Sequence, residues 1–224
     1  MPLVTSANVA CGGHAGDERS MRESVTLTRA FGVACGAHPG FRDPEHFGRR
    51  ELSVTPHEAY ALVREQTEFL ARVARELGVT VTHVKPHGAL YNMAARDAGL
   101  AEAIASATRD AGVRVLYGLA GSHLTRAAAE AGLRAVGEAF ADRAYEPDGS
   151  LTSRARPGAL LGAEDGVRQA VRIALKQQVT AIDGTVVSVR ARTLCLHGDG
   201  PHAVELAHAI RAALSEAGVS LRAP

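Results

Sequence analysis

Short apolar runs alternate along this chain with longer stretches whose apolar positions recur every three or four residues. Val4 to Cys11, Val33 to Ala37, Val79 to Lys85, Val113 to Leu119, Arg134 to Ala139 and Thr193 to Leu196 have the length and composition of buried strands. Between them the period becomes helical. From Thr55 to Leu77, Ala59, Leu62, Val63, Gln66, Leu70, Val73 and Leu77 fall mostly on one face. The opening "TPHE" carries three helix-start cues: Thr55 as N-cap, Pro56 at the first helical position and Glu58 placed to close a capping box. "GLAGSHLTRAAAEAG" and "DGPHAVELAHAIRAALSEAG" each pass from strand to helix. Alternation of this kind along the whole chain predicts an α/β fold with a mainly parallel sheet, as one domain over 1–224. One region breaks the rhythm. "FADRAYEPDGSLTSRARPGALLG" is rich in Gly, Pro, Ser and Arg and reads as a long functional loop. "TAIDGTVVSV" then predicts a hairpin turning at Asp183-Gly184.

The strand ends carry a recurring phrase. "VACGGH" (9–14) and "VACGAH" (33–38) are near copies, and "HVKPHG" (83–88) and "LCLHGDG" (194–200) are variants. Each puts a histidine at the carboxyl end of a strand, where α/β folds collect their reactive groups. Side chains alternate along a strand, so His83, Lys85 and His87 share a face if the strand runs that far, as do Cys195, His197 and Asp199. Ala34 and Gly36 leave space below His38. The phrase is therefore one βα module used several times, converging imidazoles on one mouth.

The ordinary readings stand beside the chemical ones. Any one of these histidines taken alone is a structural residue more often than a catalytic one. Asp17 serves equally as a helix cap, and so does Asp199. Arg49, Arg50, Arg143, Arg154 and Arg156 read as loop charges, whereas Lys85 between two histidines in an apolar strand is poorly explained as a surface lysine. "GLAGS", ending at Ser122, offers backbone N–H groups to a phosphate or is a plain strand–helix turn. Histidines and carboxylates at one mouth suit acid–base hydrolysis or ligation of a divalent metal. There is no HExxH, no clustered Cys/His spacing and no GxxxxGK[ST] loop, so spacing leaves any metal unassigned.

Composition narrows the setting. A net charge of +1 offers no basic stripe for nucleic acid. No apolar run approaches the roughly 20 residues of a membrane span, and the start lacks the pattern of a signal peptide. Three cysteines far apart, each among small or aliphatic neighbours, predict reduced thiols and a cytoplasmic location.

Taken in order, "SANVACGGHAGD", "GAHPGF", "FGRRE", "HVKPHGALYN", "EAFADRAY", "DGSL" and "LCLHGDG" span nearly the whole chain. Together they resemble the lactam-utilisation family, which includes the A subunit of the prokaryotic 5-oxoprolinase. The resemblance implies a distorted (β/α) barrel of about seven strands, akin to the glycoside hydrolase and deacetylase superfamily. It also implies ATP-dependent opening of 5-oxo-L-proline to L-glutamate, with ADP and phosphate as co-products, carried out with subunits B and C. ATP and its Mg2+ are then expected to be shared with those partners. Candidate catalytic residues are His14, Asp17, His38, Lys85, His87, His197 and Asp199, with Arg49, Tyr91, Asn92, Ser122, Asp142 and Arg143 expected to hold substrate or phosphate.

Two departures from the family pattern raise further expectations. A bulky aromatic usual in the first motif is replaced by Gly13, which is expected to widen the pocket. The acidic strand with which such chains begin, roughly Asp-Leu-Asn-Xaa-Asp-Xaa-Gly-Glu, is missing before Met1. That implies either a start codon assigned too late or a truncated, inactive chain, with an exposed sheet edge in both cases. Two other functions fit the residues: a metal-dependent amidase or deacetylase acting alone, and a non-catalytic subunit that binds partners.

Overall fold

A computed structural model describes residues 1–200 and 202–223. It gathers into two compact units, the first Met1–Gly118 with Ser122–Val136 and Ala223, the second Leu119–Gly121 with Gly137–Arg222. The fold is α/β, and its parallel strands alternate with helices as in the repeating unit of a (β/α) barrel.

In the first unit β1 (Ser6–Ala10), β2 (Ala34–His38), β3 (Val81–Val84) and β4 (Val115–Leu119) pair in parallel in sequence order. The start of β5 (Arg134–Phe140) follows next to β4. The helices are α1 (Glu18–Phe31), α2 (Pro56–Glu76), α3 (Gly88–Arg96), α4 (Ala98–Asp110) and α5 (His123–Glu130). Helix α2 begins as its sequence predicts. Thr55 accepts from the Glu58 N–H and Glu58 reaches back to the Thr55 N–H. Its buried stripe is Ala59, Val63, Gln66, Thr67, Leu70, Val73 and Ala74. Fully burying Val63, Leu70 and Val73 contributes about 1.5–3 kcal/mol each.

In the second unit the end of β5 pairs in parallel with β8 (Thr193–Cys195). Helices α6 (Ala163–Lys176) and α7 (Ala203–Glu216) bury Ala170, Ile210 and Leu214 around Ala141. The expected hairpin forms from β6 (Gln178–Thr180) and β7 (Val186–Ser188), antiparallel and apart from the parallel sheet. Asp183 closes its turn by accepting the Thr185 N–H. Residues 141–162 form the predicted long loop, which holds only isolated bridges.

Candidate active site

Strand register in the first unit lays out a polar row. Asn8 lies opposite Gly36, and Gly36 opposite His83. The His83 Nε2–H donates to Asn8 Oδ1 at 2.9 Å, and its ring stacks on Tyr117 of β4 at 4.2 Å. Gly36 is required by this arrangement, because a Cβ there would stand 2.0 Å from His83 Nε2. Burial and the neighbouring Lys85 charge lower the His83 pKa to about 3, so the ring is neutral.

Above this row three histidines meet, each from the carboxyl end of a different strand. His14 lies between β1 and α1, His38 ends β2, and His87 occupies the N-cap position of α3 after β3, without a side-chain cap bond. The β2–β3 ladder continues past its last paired residues. The Lys85 N–H donates to the Ala37 carbonyl and the His87 N–H to the Pro39 carbonyl. This preserves the alternation that puts His83, Lys85 and His87 on one face. The rings of His14 and His87 stack at 3.7 Å, and His38 meets both edge-on. One ring nitrogen from each lies within 4.8 Å of the others, a grouping able to hold a metal ion.

All three imidazoles are held neutral. Burial, then the Arg49 charge, lowers the His14 pKa to about 4. Burial and the neighbouring His14 lower the His87 pKa to about 3, against a smaller opposite effect of the Phe47 carbonyl. His38 lies well below its ordinary value through burial, then His87 and Lys85. Lys85 is itself buried, with Nζ 5.7 Å from the Tyr91 ring centre. Tyr91 is buried on α3 and Asn92 half-buried beside it. Arg49 lies over the Phe47 ring at 4.9 Å, and Phe47 packs edge-on against His14 and His87.

Gly13 does not widen the pocket as expected. A Cβ there would meet the Gly40 carbonyl at 2.5 Å and the Gln66 amide at 2.7 Å. The space is filled because buried Gln66 reaches from α2 to grip Gly40, accepting its N–H at 3.0 Å and donating to its carbonyl at 2.8 Å. Asp17 caps α1. Its carboxylate accepts the Ser20 N–H and the Ser20 hydroxyl bonds back, and these bonds lower its pKa. Ser122 occupies the N-cap position of α5 without a side-chain cap bond.

The second unit holds a histidine–carboxylate pair. Asp142 Oδ2 accepts from His197 Nδ1 at 2.8 Å and from the His197 backbone N–H at 3.2 Å. Burial alone would raise the Asp142 pKa, but the bonds from His197 outweigh it and leave the carboxyl below its ordinary value. With Nδ1 directed at Asp142, Nε2 is the His197 ring nitrogen left to face a substrate. Gln169 of α6 fixes this corner by donating to the carbonyls of Phe140, Ala141 and Arg143. Arg143 is buried and donates to the Thr152 and Ala159 carbonyls, which ties down the long loop. Asp199 is exposed in the turn after β8. Asn8, His83 and Tyr117 lie outside the predicted set of site residues, as does Glu138, a carboxylate only 2% exposed on β5. The signal for Glu138 was available: a lone acid inside the apolar strand "RAVGEAF".

The chain matches known proteins over its whole length. The LamB/YcsF family model covers residues 1–224. A protein from Tolumonas auensis, named as the A subunit of 5-oxoprolinase, is 53% identical over 225 residues, spanning 100% of this chain and 90% of that protein. Its namesake from Geobacillus thermodenitrificans is 49% identical over 225 residues, spanning 100% and 88%. The crystal structure of a lactam utilization protein from Thermus thermophilus superposes with a TM-score of 0.91 at 46% identity, covering 100% of this chain and 90% of that one. With the fold and the motif order in agreement along its full length, this chain belongs to the LamB/YcsF family.

Proposed function

We propose that this chain is the lactam-opening subunit of an ATP-dependent 5-oxoprolinase, working in the cytoplasm with two partner subunits to convert 5-oxo-L-proline to L-glutamate. The observation that carries the reading is the cluster of buried His14 and His87 with half-buried His38, beside buried Lys85, in a chain about half identical to proteins named as the A subunit of that enzyme.

An unstrained five-membered lactam has a weakly electrophilic carbonyl. ATP, bound with Mg2+ by the partners, would supply a phosphoryl group to the amide oxygen. The residues of this chain then act on the activated ring. A neutral imidazole of the cluster takes a proton from water as its oxygen bonds to the ring carbon. The ring nitrogen is protonated as the C–N bond breaks, which leaves an open-chain acyl phosphate. A second water displaces phosphate and yields glutamate. Lys85 and Arg49, whose charges bear on the imidazoles, offset negative charge on the phosphoryl oxygens. Tyr91, Asn92, Ser122, Asp142 and Arg143 remain assigned to substrate or phosphate, and His197 and Asp199 to catalysis.

The test is glutamate formation from 5-oxoproline with ATP and both partner subunits, comparing the parent chain with His87→Ala. Loss of most activity in a folded variant is expected, and full activity would remove His87 from the chemistry. A second reading, a metal-dependent amidase acting alone, is favoured by the three-histidine grouping. It predicts amide hydrolysis without partners or ATP.

A further inference from the structure

The hydrogen bonds around the histidine cluster determine which nitrogens carry protons. His38 Nδ1 lies 2.6 Å from the Lys85 carbonyl oxygen, and His87 Nε2 lies 2.8 Å from the Phe47 carbonyl oxygen. A carbonyl only accepts, so each of these nitrogens is the N–H of its ring. In neutral rings the remaining nitrogens, His38 Nε2 and His87 Nδ1, are lone pairs. They face each other at 3.0 Å. Two acceptors at that separation repel unless a positive species lies between or beside them. The third histidine points the same way: His14 is 2% exposed, and its Nδ1 has no hydrogen-bond partner among the described residues.

From this geometry we infer that His14, His38 and His87 form a binding site for one divalent transition-metal ion of the zinc class. Three neutral imidazoles suit such an ion, whereas Mg2+ and Ca2+ require oxygen ligands. Two nitrogens on one tetrahedral zinc are roughly 3.3 Å apart, from bonds of about 2.0–2.1 Å, so the pair at 3.0 Å needs little adjustment. The His14 ring closes the rest of the spread, which is at most 4.8 Å. The backbone carbonyls behind His38 and His87 are the outer partners that orient metal-bound imidazoles. Gly40 and Gly48 keep the cluster tight, since a Cβ at either would stand 2.8 Å or less from a His14 atom. Three histidines leave a fourth position for water or a substrate oxygen, the ligand count of catalytic rather than structural zinc. With the ion bound, the cluster would hold and polarise water through the metal instead of accepting its proton on an imidazole; that use in catalysis rests on the function proposed above, whereas the binding does not.

Calorimetric titration of the chelator-stripped full chain with Zn2+ tests the inference. One equivalent is expected to bind. Folded His38→Gln and His87→Gln chains should weaken binding by more than the roughly 10–100-fold that follows loss of an outer partner alone. A His202→Gln/His208→Gln chain, altered only on the surface helix and its cap, should bind like the parent. No binding by the parent, or equal binding by the His38 and His87 variants, overturns the inference. Glutamate formation on the same preparations separates the two ideas. Metal binding without turnover supports the site and counts against the proposed function, whereas turnover by a parent chain that binds no Zn2+ supports the function and overturns the site.

Discussion

Gly36 offers a quantitative check on the architecture under the histidine cluster. Changing Gly36→Ala places a methyl group 2.0, 2.3 and 2.4 Å from the Nε2, Cε1 and Cδ2 atoms of His83. The ring is held on its other side by Tyr117 and at its edge by Asn8, so it cannot move without loss. Giving up the Asn8 bond costs about 1 kcal/mol and the ring stacking about 0.5–1.5 kcal/mol, while residual overpacking adds about 1–3 kcal/mol. A destabilisation of about 3 kcal/mol is therefore expected. In a His83→Ala background the same methyl enters vacated space and should cost under about 1 kcal/mol. The coupling between the two substitutions is then about 2 kcal/mol or more, well above the scatter of independent sites. Urea denaturation of the parent, both single variants and the double variant measures it. If Gly36→Ala alone lies within about 0.5 kcal/mol of the parent, or the two changes simply add, the ring is not held as described.

Three further outcomes are expected. Asp142→Asn removes the carboxylate that orients His197, so kcat for glutamate formation should fall by about two to four orders of magnitude with KM little changed; a parent-like kcat would remove the pair from the chemistry. His83 has a folded pKa of about 3 against 6.5 unfolded, so only the unfolded chain takes a proton between those values. Its stabilising contribution is complete above pH 6.5 and declines as pH falls toward 3, by about 2 kcal/mol at pH 5. Urea midpoints at pH 7.5 and pH 5 should therefore converge in His83→Gln relative to the parent, and an unchanged difference would sink that account. Asp17→Ser keeps a competent N-cap while removing the carboxylate, so stability and turnover should both stay near the parent. A loss of turnover above about tenfold with stability intact would give Asp17 a chemical role beyond the cap.

Much of the scaffold was legible because it depends on local periodicity. The apolar runs locate all six strands of the parallel sheet to within about two residues at each end, as expected where hydrogen bonding, not side-chain type, ends a strand. The alternation of His83, Lys85 and His87 was also readable, because ladder hydrogen bonds persist through Lys85 and His87. What was not readable depends on register between strands. Asn8 and Tyr117 acquire meaning only because β1 and β4 place them around the His83 ring, and no local pattern states that register.

The same limit explains Gly13. From sequence a missing aromatic looks like empty volume. In the fold, Gln66 on α2, 53 positions further on, occupies that volume. A buried glutamine on a helix reads as a blemish in an apolar stripe, yet the chain uses the device twice. Gln66 satisfies both polar groups of Gly40 beside His14, and Gln169 of α6 holds three carbonyls beside Asp142. A buried loop backbone left without partners costs about 1–3 kcal/mol per group, so an apolar residue at either position would release the loop it now holds. The histidine modules repeat in sequence because β1, β2, β3 and β8 each lead into or end on a histidine. The glutamines that make those ends rigid do not repeat, because each is matched to the one loop it holds.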